Sequence, residues 1–135
     1  MPQDISGYDV GALLYCPANA HHTVAQAVAA ERLPRPFSLA LCLEDTVRAD
    51  ALAAAEQAVE QTLRELTDAA QRRAFYRPLT FVRVRSPEQL ARLGRAYGKY
   101  RPLLTGFILP KFFIETCGAY CAVIRDLQAD GLDYF

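Results

Sequence analysis

Nowhere in this chain does an apolar run approach the roughly 20 consecutive residues that a membrane-spanning helix requires, so no membrane partner is expected. An excess of either charge is missing too: 15 basic residues face 15 acidic ones. A chain with no net charge has no global field to recruit nucleic acid or an anionic membrane, and neither is expected as a partner. Lysine is scarce, with Lys99 and Lys111 against thirteen arginines. Beside so much alanine, that bias reads as genome composition rather than arginine-specific chemistry. Residues Met1 to Val10 carry acids and a glycine but no basic flank and no hydrophobic stretch. They do not read as a signal peptide, and a cytoplasmic setting is the default expectation.

The spacing of a structural zinc site is also lacking. Cys117 and Cys121 stand four apart, Cys16 and Cys42 stand alone, and His21 and His22 lie far off in sequence. No CxxC pair exists to build a zinc site. Cysteines set among Leu, Ala and Tyr read as small core residues of a reduced protein.

What is present is a dense, patterned core. The 135 residues, 52% of them hydrophobic, suit one domain and are too few for two ordinary ones. Strand-like runs occur at "GALLYCP" (11–17), "SLALCLEDTV" (38–47), "LTFVRV" (79–84) and "LLTGFILP" (103–110). Helical patterns follow each. Thr23 to Leu33 carries Val24, Ala27 and Val28 on one side and stops before the prolines of "LPRPF". Leu52, Ala55, Val59, Leu63, Leu66 and Ala70 form a stripe at three- and four-residue steps, with Asp50 as its expected cap and Arg72 and Arg73 at its negative end. In "SPEQL", Ser86 reads as an N-cap, Pro87 as the first turn and Gln89 as the closing residue of a capping box, ahead of Leu90, Leu93 and Tyr97. A fourth helix is expected over Glu115 to Leu127, with Tyr120, Ile124 and Leu127 inward.

Apolar strands alternating with helices specify a parallel sheet, either an open doubly wound one or part of a (β/α)8 barrel. The second strand separates these. Its odd positions 39, 41 and 43 are all Leu, and its even positions are Ala40, Cys42 and Glu44. Bulky residues belong under helices, whereas small ones and an acid suit a barrel interior, so a TIM-barrel type is expected, with only about four β/α units in the chain.

Functional groups of such folds collect where strands end. Here the ends carry Pro17 with Asn19, Glu44 with Asp45, Arg83 with Arg85, and Pro110 with Lys111. An acid pair beside an Arg and a Lys can hold a divalent cation and grip a substrate carboxylate. The same charges can equally form an ion-pair ring that only neutralises the rim.

The strings "LLYCPAN", "LCLEDTV", "FVRV" and "GFILPKF" resemble, in order, motifs of the citrate lyase beta subunit and HpcH/HpaI aldolase superfamily. The chain looks especially similar to its carbon–carbon bond lyase branch associated with tellurium-resistance clusters. That resemblance implies a magnesium-dependent lyase or aldolase acting on an oxo- or hydroxy-acid, or on its coenzyme A thioester. It implies catalytic roles for Glu44, Asp45 and Arg83 and substrate contacts for Arg83, Lys111 and Asn19. Glu44 and Asp45 would lie beside Mg2+, in its second shell or through water, with its direct ligands on fifth and sixth strands beyond Phe135. Two departures stand out: the Arg that opens the family's first strand is replaced here by Gly11 and Ala12, and the family's direct metal ligands, a Glu and an Asp, fall on strands that follow these four units. No coenzyme A contact is identifiable. Residues 1–135 are therefore expected to be the N-terminal half of a TIM-barrel lyase-like domain, inactive alone. Such a half-barrel would bare its inward face and leave its first and fourth strands as open edges, inviting homo-oligomers or association with the missing half. The competing expectation is a non-catalytic half-barrel that serves as a scaffold or interaction protein.

Overall fold

The computed structural model describes residues 4–135, apart from the side chains of residues 20–22. Four parallel strands, β1 (Leu13–Pro17), β2 (Ser38–Cys42), β3 (Thr80–Arg83) and β4 (Leu104–Ile108), lie side by side in chain order. Helices α1 (His21–Ala29), α2 (Leu52–Arg72), α3 (Pro87–Ala96) and α4 (Ile114–Ala129) follow them in turn. A doubly wound sheet reverses its strand order at a switch point. This sheet does not reverse, which is how a TIM barrel is wound, and it has half of the eight strands that close one.

The two faces of the sheet follow from side-chain alternation. Leu39, Leu41 and Leu43 of β2 and its extension join Val82, Val84 and Leu104 in the core under the helices. Ala55, Val59, Leu63 and Leu66 of α2 supply the stripe that meets them. On the opposite face, Tyr15, Ala40, Phe81 and Gly106 stand in one row, and Pro17, Cys42, Arg83 and Ile108 in the next toward the C-terminal end. The register slips between Thr80 and Phe81, where the Thr80 N–H turns to the Thr105 hydroxyl at 3.1 Å.

The inward face and the β4 edge depart from expectation. Ala40, Cys42 and Phe81 are buried: Ala40 sits between Tyr15 and Phe81, Cys42 sits between Pro17 and Arg83, and the Phe135 ring lies 6.0 Å from Phe81. Phe135 also pairs with the outer edge of β4: its N–H bonds the Thr105 carbonyl at 3.1 Å, and its own carbonyl accepts from Phe107 at 3.3 Å. That is a parallel bridge opposite Gly106, the position of a next strand. A Cβ at residue 106 would collide with the Phe135 carbonyl, so glycine is required there.

The helix ends also refine the sequence reading. The first helix stops at Ala29 rather than Leu33, because Glu31 takes a left-handed φ of 52° and the Arg32 N–H bonds back to the Ala27 carbonyl. Asp50 does not cap α2. It lies inside a 3-10 turn, Ala49–Ala51, that leads into the helix, and its carboxylate pairs with Arg48. Ser86 does cap α3, accepting from the Gln89 N–H at 3.1 Å, but the Gln89 side chain reaches one residue further back than a capping box, to the Arg85 N–H at 2.7 Å. In α4, Tyr120 and Leu127 are buried and Ile124 is half-buried. Among the described residues, no helix is long and apolar enough to cross a membrane.

Leu41 is 1% exposed within the core, so Leu41→Ala should cost about 2–5 kcal/mol of unfolding free energy in urea titrations. Ile114, which is 92% exposed, should tolerate alanine within about 0.5 kcal/mol.

Candidate functional site

The ladder continues past the strand ends. The Leu43 N–H bonds the Arg83 carbonyl at 2.9 Å, and the Val84 N–H bonds the Ile108 carbonyl at 3.3 Å. Glu44 keeps the alternation of Ala40 and Cys42, so its side chain belongs to the inward face beside Arg83. A turn follows at once: the Val47 N–H returns to the Glu44 carbonyl at 3.1 Å, and the Asp45 N–H bonds the Glu44 carboxylate at 3.0 Å. The Glu44 side chain is only 7% exposed, and Asp45 beside it is 64% exposed.

Cations meet the buried acid from both sides. Nη2 of Arg83 is 3.1 Å from Glu44 Oε2 and 3.8 Å from Asp45 Oδ2. Nζ of Lys111 is 2.8 Å from Glu44 Oε1 and 3.8 Å from Asp45 Oδ1. Lys111 follows Pro110 with φ at 50°, a conformation that side chains other than glycine avoid. Its carbonyl is anchored by the Phe113 N–H at 2.9 Å and the Thr116 hydroxyl at 2.8 Å, which fixes the entry to α4. The Tyr15 ring lies 5.8 Å from the Arg83 guanidinium carbon, a cation–π contact on the inward side.

Burial pushes the Glu44 carboxyl up, but the bonds from Lys111 and the Asp45 N–H, with the charges of Arg83 and Lys111, outweigh it and hold the group below the usual carboxylate range. The same hydrogen bond raises Lys111, helped by the charges of Glu44 and Asp45.

Of the residues singled out from sequence, Glu44, Asp45, Arg83 and Lys111 come together. Asn19 does not join them: it lies exposed in the 3-10 turn after β1 and shares no hydrogen bond or ion pair with these four. Tyr15 was not read from the sequence. Tyr15 could have been found, since a β1 residue two before the strand-end proline shares the inward parity. The four cysteines are free thiols, Cys42 buried and the others half-buried. The side chains of His21 and His22 lie outside the described residues.

Among the described residues, no three His, Cys, Asp or Glu side chains converge. Glu44 and Asp45 offer the hard oxygens that Mg2+ prefers, but with Arg83 and Lys111 already on them they would hold that ion only with most of its water shell.

A carboxyl held below its unfolded value binds its proton less readily in the folded state. Glu44 therefore stabilises the fold fully above about pH 4.3 and loses that contribution as pH falls through its lower folded value. In acid unfolding curves, Glu44→Gln should flatten the decline below about pH 4.3 and be the less stable protein at neutral pH.

A comparison with curated proteins found no match. The family model described as C-C bond lyase of the TIM-barrel fold matches residues 4–133. That match spans all four strand–helix units and the whole acid–base rim, so the chain belongs to the family of C-C bond lyases of the TIM-barrel fold.

Proposed function

We propose that the rim is the substrate site of a magnesium-dependent lyase of the aldolase type, related to citrate lyase beta subunits and HpcH/HpaI aldolases. The carrying observation is Arg83, a half-buried guanidinium fixed between Glu44 and Tyr15 on the inward face. The nitrogen nearest both acids is the same one, Nη2. The rest of the planar fork is left for a carboxylate, a geometry that binds oxo- and hydroxy-acids in bidentate fashion.

When the carbon–carbon bond next to a carbonyl breaks, its electron pair moves toward the carbonyl oxygen. Arg83 and Lys111 place positive charge where that oxygen would become negative. Glu44 holds both cations in place, and exposed Asp45 is the group free to meet incoming solvent or a hydrated ion. Magnesium would supply Lewis acidity beside the two carboxylates. The substrate in this reading is a short oxo- or hydroxy-acid or its coenzyme A thioester, in a cytoplasmic setting.

We also propose that residues 1–135 work as one half of a barrel, paired with a second copy or with four complementary strands. The outer edge of β1 has no strand partner among the described residues, and Leu14 and Tyr15 on it are 40% and 46% exposed. Light scattering should show the isolated chain associating; a monodisperse monomer would refute the pairing.

The matched charges of the rim favour one competing reading, a scaffold in which Glu44, Arg83 and Lys111 only neutralise each other. Titration with oxalate, a dicarboxylate that mimics an oxo-acid, separates the two. Oxalate should bind the unmodified chain, and Arg83→Ala should weaken binding about 10- to 100-fold, the loss of a charge-assisted pair. Arg83→Lys should recover little, because the fork is gone. Equal binding by the alanine variant would favour the scaffold.

A further inference from the structure

Behind the rim stands a third cation that touches neither carboxylate. Arg85, half-buried just past β3, makes no ion pair with any carboxylate of the described residues. Its Nη2 instead donates to two backbone carbonyls of the acid-bearing turn, to Glu44 at 3.0 Å and to Val47. These are the first and last residues of the turn that the Val47 N–H closes onto the Glu44 carbonyl. One nitrogen thus bridges both ends of the segment that presents Glu44 and Asp45.

Arg85 is itself braced. Its N–H donates to Gln89 Oε1 at 2.7 Å, and Gln89, 3% exposed, donates through Nε2 to Glu56 of α2 at 2.8 Å. Glu56 is clamped in turn by both terminal nitrogens of Arg92, at 2.7 and 2.8 Å, and its carbonyl accepts the Tyr97 hydroxyl at 2.9 Å. The acid turn is therefore fastened through one guanidinium to the first turn of α3 and on to the N-terminal part of α2. Charge adds to the geometry. Arg83 and Lys111 already match Glu44 and Asp45, so the unpaired charge of Arg85 leaves the rim net positive, which suits an anion.

We propose that Arg85 is a positioning residue of the rim: by bridging the Glu44 and Val47 carbonyls it holds the two carboxylates, and through them Arg83, in the arrangement that receives a carboxylate substrate. It acts through the backbone and does not touch the substrate. The substrate half of this inference rests on the reading of the rim as an oxo- or hydroxy-acid site.

The test compares the unmodified chain with Arg85→Met, which keeps most of the apolar stem, and Arg85→Lys, which keeps the charge. Three quantities are measured: exchange of the Val47 amide by NMR, oxalate affinity and the urea midpoint. In the methionine variant the Val47 amide should exchange about tenfold faster and oxalate should bind about tenfold more weakly, at a nearly unchanged midpoint. The lysine variant should recover part of both losses, because a single nitrogen makes both carbonyl bonds and an ammonium supplies enough donors from one bond further back. An unchanged Val47 amide overturns the proposal. So does faster exchange throughout the chain, or a methionine variant that does not fold, since either makes Arg85 a residue of global stability. A loosened turn with undiminished oxalate binding refutes the link to the substrate. If the unmodified chain takes no oxalate, the reading of the rim fails by itself, and the Val47 exchange still decides whether Arg85 pins the turn.

Discussion

Glu44 is a carboxylate placed where water barely reaches it, and much of the C-terminal end of the sheet is arranged around that demand. Removing a carboxylate from water is costly unless charge and hydrogen bonds replace the hydration. Here the replacement comes from three places at once: the Asp45 N–H of its own turn, Arg83 from the neighbouring strand and Lys111 from the loop that follows β4. The strained backbone of Lys111 is intelligible in that light, since its left-handed conformation sets the ammonium against Glu44 while Thr116 and Phe113 hold its carbonyl. Strain kept in place by its surroundings is a common mark of functional sites.

The sheet below makes this convergence feasible. Side chains at equal register in parallel strands point the same way, so the inward row of Cys42, Arg83 and Ile108 continues to Glu44, whereas Lys111, past the end of β4 and on the other parity, reaches Glu44 through its left-handed backbone. The opposite parity sends Leu39, Leu41, Leu43, Val82 and Val84 into the helix-covered core. Membership in the C-C bond lyases of the TIM-barrel fold agrees with the unreversed strand order.

Much of this was legible because it rests on alternation. The Leu-x-Leu-x-Leu phase of residues 39–43 told the two faces apart, and the positions of Glu44 and Arg83 after apolar runs marked a rim. What was illegible depends on contacts across the chain. Asp50 looked like a helix cap, yet an intervening 3-10 turn moved the start of α2 beyond it and left the aspartate to Arg48. Glu31 ended α1 early through a left-handed backbone that no local residue pattern announced. Phe135 covers the β4 edge, a pairing set by a glycine nearly thirty residues away. Arg85 resembles any other strand-end arginine until its partners prove to be carbonyls rather than carboxylates.

The rim also divides by stiffness. The side chains of Glu44 and Arg83 are 7% and 24% exposed and held from several directions, whereas those of Asp45 and Lys111 are each 64% exposed. A ligand entering from solvent meets the looser pair first. Immobilising such side chains costs on the order of 0.5–1.5 kcal/mol each. The entropic penalty of binding is thus concentrated in two residues, while the deeper pair is ordered before any ligand arrives. In the proposed site, enthalpy gained at Arg83 would then be offset mainly by lost freedom at Asp45 and Lys111, which would assign recognition at depth and adaptation at the mouth to different side chains.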